Sequence, residues 1–198
     1  MPGAAPQLAT YRDLLALPED VRAEILSGTI VTTPAPLPKH SKAQRALGSY
    51  IGRPFDDDHD HGAPGGWWIF VEVDIQLGTH DVVRPDLSGW RRERLPNPAE
   101  TRPIAVPPDW VCEVLSPSTA ARDRVTKSQL YATQGICHYW LVDVDSRTLE
   151  AFELHEGRWV LVGAFADGDS ARIPPFEKVE LQLARLFLPR VVDDSNGG

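Results

Sequence analysis

The run Trp110-Val111-Cys112-Glu113-Val114-Leu115 constrains this chain most. It is apolar on both faces apart from one glutamate. Such a run reads as a central strand, covered on each side by other elements. Glu113 is then a carboxylate inside a sheet. That position is costly unless the group is paired, protonated or bound to a cation. An arginine holding it in a core ion pair is the bland explanation.

The neighbouring segments extend the pattern. Ser116-Pro117-Ser118-Thr119 caps a helix that runs to Gln134, where Gly135 is the stop. Ile136 to Val144 reads as another buried strand. Upstream, Trp67, Ile69, Val71, Val73, Ile75 and Leu77 alternate with Glu72, Asp74 and Gln76, which predicts one strand with a dry and a wet face. A second strand is expected near Asp81 to Trp90. Ala43, Ala46, Leu47, Tyr50 and Ile51 form one stripe on a helix beginning near His40. Thr10 with Asp13 suits a short capped helix, and Pro18-Glu19-Asp20 the first turn of another. Hairpins are expected around Ser27-Gly28 and Glu156-Gly157. A short strand near Val179 and a short helix from Leu183 to Phe187 close the order. The sum is an α/β fold with a mixed sheet flanked by helices and added β-hairpins.

At 198 residues the chain predicts one domain over 1–192 and a flexible tail over 193–198. No apolar run approaches the ~18 residues that a membrane span needs. The first residues lack a basic stretch followed by an apolar one, so no signal peptide is expected. Cys112 and Cys137 form no CxxC pair, which argues against a disulfide framework and for a cytoplasmic setting. The net charge of -8 argues mildly against a dedicated nucleic-acid coat. Residues 84–127, however, carry eight basic and six acidic side chains. No phosphate loop, nucleophile elbow or HExxH helix is present, which removes several enzyme classes.

Asp86 follows Pro85, a residue that interrupts sheet pairing and lets the aspartate turn from the core. Taken alone it reads as a turn aspartate. Together with Glu113 it would make the oxygen pair that Mg²⁺ prefers. Glu72 is either a third ligand or part of a solvated strand face. Asp123, Lys127 and Tyr131 are spaced four apart and share one helix face. That arrangement is an ordinary surface ion pair, or else a lysine reaching over the carboxylates to orient water or offset negative charge.

These residues carry a resemblance. Pro85-Asp86, Glu113-Val114-Leu115-Ser116-Pro117-Ser118-Thr119, Asp123, Lys127, Tyr131 and Gly135-Ile136-Cys137-His138-Tyr139-Trp140-Leu141-Val142-Asp143 resemble the Uma-type restriction endonuclease family. That family lies within the PD-(D/E)XK nuclease superfamily. Ala23 to Val31, with His40 opening the next helix, is similar to it too. The resemblance implies a restriction-endonuclease-like fold, with Asp86 and Glu113 as metal ligands. The superfamily's usual lysine position, two residues after the glutamate, holds Leu115 here. In the Uma-type group the lysine comes from the following helix, which maps it to Lys127.

The expected function is Mg²⁺- or Mn²⁺-dependent hydrolysis of DNA phosphodiester bonds. Asp86, Glu113 and Lys127 would be catalytic, and Glu72 would assist at the metal. Arg84, Arg91, Arg92, Arg94, Arg122 and Arg124 are candidates for phosphate contact. His40, Asp123 and Tyr131 are secondary candidates. The sequence leaves open whether a homodimer forms; exposed hairpins would allow pairing, and superfamily members that cut both strands often dimerise. The rival reading is a catalytically inactive binding or assembly module on the same fold. The Asp56 to His61 stretch has metal-ligand residue types but reads as a solvated acidic loop. The six tryptophans read as core rather than as base-stacking platforms.

Overall fold

The computed structural model describes residues 7–56 and 62–190. Asp57 to His61 of the acidic stretch and the tail 193–198 lie outside the described residues. The elements begin with α1 (Tyr11–Leu15), β1 (Ala23–Leu26), β2 (Thr29–Thr32) and α2 (Pro38–Asp56). Then come β3 (Trp67–Val71), β4 (Ile75–Gly78), β5 (Asp81–Val83), β6 (Leu87–Arg91) and β7 (Trp110–Leu115). A helical segment follows in three parts: α3 (Ala120–Arg122), a π-helical turn (Asp123–Lys127) and α4 (Ser128–Thr133). β8 (His138–Asp143), β9 (Thr148–His155), β10 (Arg158–Ala166), β11 (Ser170–Ala171), β12 (Leu181–Gln182) and a 3-10 turn (Leu183–Leu186) complete it.

The main sheet has six strands in the order β10-β9-β8-β7-β6-β3. β7 and β8 are parallel and the remaining pairs antiparallel, so the sheet is mixed. β7 lies inside it and all six of its residues are buried. Its two faces meet different partners. Trp110, Cys112 and Val114 join Ala43, Leu47, Ile51 and Phe55 of α2 in one core. Val111 and Leu115 join Tyr131 of α4 and Ile75, Leu77 and Val83 of a second sheet. That sheet has four strands, β2-β1-β5-β4. Trp67, Trp110 and Trp140 ring Phe176 at centroid distances of 4.9, 5.0 and 5.8 Å, which makes them core residues.

Two expected strands do not run through. The segment from Trp67 to Leu77 divides into β3 in the large sheet and β4 in the small one. Glu72 sits at the break with φ of 52°, a left-handed conformation that ends extended pairing. Its partner segment divides likewise into β5 and β6, and Arg84-Pro85-Asp86 is the break. Period-two alternation continues across such a bend, so the sequence pattern hides it. Val71, expected to face the core, is 52% exposed at the bend. Pro18 to Asp20 is a turn closed by Val21 N–H on the Pro18 carbonyl at 2.9 Å, not a helix start.

The first hairpin turns as its sequence suggests. Ser27 and Gly28 both take positive φ, the geometry that matches the twist of two antiparallel strands. A Cβ on Gly28 would also meet Leu8 Cδ2 at 2.6 Å. Gly89 on β6 is needed for space: a Cβ there would meet Ile69 at 3.0 Å and Trp110 at 3.2 Å.

Candidate active site

The bend at Arg84-Pro85-Asp86 brings Asp86 beside Glu113. β6 and β7 pair in the register Leu87↔Cys112 and Ser88↔Val111. One step further along that register sets Asp86 opposite Glu113, as cross-strand neighbours. Asp86 Oδ2 accepts the Val114 N–H at 2.7 Å, which anchors it to β7. Its Oδ1 lies 3.2 Å from His40 Nε2 and 3.4 Å from Gln44 Nε2, both on α2.

Glu113 faces the other helical segment. Its Oε1 accepts from the Tyr131 hydroxyl at 2.6 Å and from Lys127 Nζ at 2.7 Å. Lys127 also reaches Glu24 Oε1 at 2.9 Å and Asp123 Oδ1 at 3.7 Å. One ammonium thus serves three carboxylates from β1, β7 and its own turn. The turn that carries Asp123 and Lys127 is π-helical, a widening often found at functional sites. Tyr139 donates to the Asp123 carbonyl at 3.0 Å inside this wide turn.

Glu24 is a participant that the sequence reading missed. It is a β1 residue, and its Oε1 also accepts the Arg84 N–H at 2.7 Å. It therefore ties the lysine to the bend that carries Asp86. Its local signal was present but weak: a single acid within the four buried residues of β1.

Glu113, Lys127, Asp123, Glu24 and Asp86 are exposed by only 3, 2, 3, 5 and 8%. Burial pulls the Lys127 ammonium toward neutrality, but the charges of Glu113, Glu24 and Asp123 outweigh it and raise its pKa. Burial pushes Glu113 well up, with Lys127 opposing and the neighbouring acids adding to the rise. Asp123 is raised for the same first reason. Tyr131 is raised by burial and by Glu113, so it remains a hydroxyl donor. Burial lowers His40, yet the hydrogen bond and charge of Asp86 leave it raised.

All five lie on the floor of a cavity of about 370 Å³. Its walls are the loop after β2, from Thr33 to Leu37, and the loop after β7, from Ser116 to Thr119. Arg22, Lys39, Arg84 and Arg122 stand around it.

Other expected residues are placed differently. Glu72 does not line the cavity; it pairs with Arg22 at 2.8 Å and accepts from Gln44 at 2.9 Å. Through Gln44 it touches Asp86 only at one remove. Arg84 lines the cavity but gives its guanidinium to Asp74 at 2.6 Å. Arg122 lines it and donates to Thr33 Oγ1 at 3.1 Å. Arg124 pairs with Glu150 at 2.6 Å and lies 3.7 Å from Asp143. Arg91 stacks over Trp67, Arg92 over Trp68, and Arg94 pairs with Asp109.

Among the described residues no group of three His, Cys, Asp or Glu side chains is arranged to hold a metal. The donor chemistry still fits Mg²⁺, which takes one or two carboxylates and keeps several waters. On the floor itself four buried carboxylates meet one ammonium and one imidazole, while Arg22, Lys39 and Arg84 around it are paired with Glu72, Asp145 and Asp74, so carboxylate charge is left for a divalent cation to offset.

Comparison with known proteins gives the family and the fold. The model of the Uma2 family, described as "Putative restriction endonuclease", matches residues 8–185. A crystal structure of "a putative nuclease belonging to DUF820" from Anabaena variabilis superposes with a TM-score of 0.71 at 24% identity. The alignment covers 90% of this chain and 97% of that one, so the two share a fold. No curated protein matches the chain. No helix among the described residues is long and apolar enough to cross a membrane.

Proposed function

This chain belongs to the Uma2 restriction endonuclease family, and we propose that it is a divalent-metal-dependent endonuclease hydrolysing DNA phosphodiester bonds. One observation carries the reading. Asp86, at the bend just before β6, and Glu113 on the adjacent β7 line the same cavity floor, and Lys127 lies 2.7 Å from Glu113.

Asp86 and Glu113 would hold Mg²⁺ or Mn²⁺. When bound, such an ion lowers the pKa of water and offsets charge on a phosphate undergoing displacement. The protein's own groups supply the rest. Val114 N–H, His40 and Gln44 fix the Asp86 carboxylate. Tyr131 and Lys127 fix one oxygen of Glu113. The raised pKa of Lys127 keeps it charged, so it acts by orienting water and stabilising negative charge rather than by taking a proton. Arg122 and Arg84 line the cavity, but Arg84 is held by Asp74, so Arg122 is the one that suits phosphate oxygens. Arg124, held by Glu150, drops out of that set.

Plasmid nicking with Mn²⁺, alongside calorimetric Mn²⁺ titration, tests the proposal. Cleavage and a metal site that both vanish in Asp86→Ala and Glu113→Ala support it. Equal background cleavage by the wild type and Glu113→Ala would leave a silent binding module instead.

A further inference from the structure

We propose that the cavity above Glu113 receives one unpaired nucleotide of a single DNA strand, with a flanking phosphate held by the Ser116–Thr119 loop and Arg122. This rests on the nuclease reading and adds the form of the substrate.

Depth is the first argument. Asp86, Glu113 and Lys127 are each at most 8% exposed, so a phosphodiester must be drawn into the cavity to meet them. Size is the second. A volume of about 370 Å³ lies near the bottom of the range for small-molecule pockets, ~300–1,000 Å³. It has room for about one nucleotide unit and none for a duplex.

The walls give the third argument. Pro34, Pro36 and Leu37 line one side and Pro117 the other, and Leu37 is 56% exposed. Apolar surface beside an anion-processing floor gains by covering a base or a deoxyribose face. It gains nothing from the charged exterior of a duplex. Among the described residues no Phe, Tyr or Trp lines the cavity, so the base packs between proline rings and its identity matters little.

The fourth argument is polar. Ser116 Oγ lies 3.1 Å from Ser118 Oγ and 3.0 Å from Thr119 Oγ1, so three hydroxyls cluster at one side of the cavity. Arg122 is fixed at its Nη2 by Thr33, while its buried Nε has no hydrogen-bond partner among the described residues. The residue lines the cavity, and a phosphate oxygen suits its guanidinium. A paired base could enter only after leaving its stack, at a cost of a few kcal/mol. Single strands, gaps and flaps avoid that cost.

Fluorescence anisotropy of the full chain tests this, at fixed salt with Ca²⁺ replacing the catalytic ion. The probes are a labelled single strand and the same sequence as a blunt duplex. The single strand should bind about tenfold more tightly, a difference of ~1.4 kcal/mol that the duplex loses in unstacking a base. Ser118 is exposed, so Ser118→Trp narrows the mouth without touching the floor. That variant should lose the preference while keeping its melting temperature. Equal binding of both probes, or a preference untouched by Ser118→Trp, overturns the proposal. With Mg²⁺, cutting of the single strand about tenfold faster than the duplex supports it. A duplex cut as fast overturns it and leaves the nuclease reading intact. Strand preference without any cutting overturns the nuclease reading and leaves the pocket as a binding site.

Discussion

The two bends that divide the long hairpin each bury an aspartate, and their surroundings differ. Asp74, at the first bend, accepts from Arg84 at 2.6 Å, Arg102 at 3.2 Å and Tyr11 at 3.0 Å. Two guanidiniums and a phenol serve one carboxylate, which is more than enough. Asp86, at the second bend, shares a floor with Glu24, Glu113 and Asp123, and Lys127 is the ammonium among them. The first cluster is balanced by its own cations, although it too borders a cavity, of about 520 Å³. The second carries excess negative charge and opens on a cavity. Burial alone therefore does not mark a site; uncompensated burial beside a cavity does.

The largest expected effect breaks the second cluster. Lys127→Met leaves three carboxylates without their ammonium and should cost about 3–5 kcal/mol in urea unfolding near neutral pH. The sign of its pH dependence follows from Glu113 and Asp123. Both are raised in the folded state, so the stability they contribute is full below the ordinary carboxyl pKa and fades as pH rises. The variant's deficit should accordingly shrink toward pH 5 and grow toward pH 8.

Divalent metal offers the gentler test. Mn²⁺ at about a hundred times its Kd should stabilise the wild type by ~2.7 kcal/mol in thermal melts. The gain should vanish in Asp86→Asn and survive in Asp74→Asn, because only the first cluster is already balanced. Asp74→Asn itself should cost about 1–2 kcal/mol, less than Lys127→Met. Of its two arginine partners, Arg102 lies toward solvent with its side chain 68% exposed, while Arg84 is 25% exposed.

Arg22→Met sharpens the link between the bends. Burial pushes Glu72 up, but hydrogen bonds from Arg22 and Gln44 and the Arg22 charge leave its pKa lowered. A lowered carboxyl stabilises the fold above its ordinary pKa, and that stability is lost as pH falls. Removing Arg22 should move the midpoint of acid unfolding upward, at a cost below about 1 kcal/mol near neutral pH. Arg124→Ala is the smallest. Its pairs with Glu150 and Asp143 are surface pairs, so stability should change by ~0–1 kcal/mol and cleavage should not change.

The chain itself determined a good deal. An apolar run with one carboxylate identified β7 as interior and Glu113 as anomalous. Helical spacing put Asp123, Lys127 and Tyr131 on one face, and Pro85 marked the strand break before Asp86. Those are local facts, set by backbone periodicity and steric rules that act over a few residues. The bend at Glu72 was not legible, because alternation by two looks the same whether a strand continues or changes sheet. Tertiary structure alone decided which acids meet. Glu24 and Lys127 lie on elements about a hundred residues apart, and only the packing of the small sheet against the π-helical turn joins them. Tertiary contacts likewise took Glu72 to Arg22 and Arg124 to Glu150. Pairing of long charged side chains is settled by the nearest counter-charge in space, and distance along the chain carries no record of it.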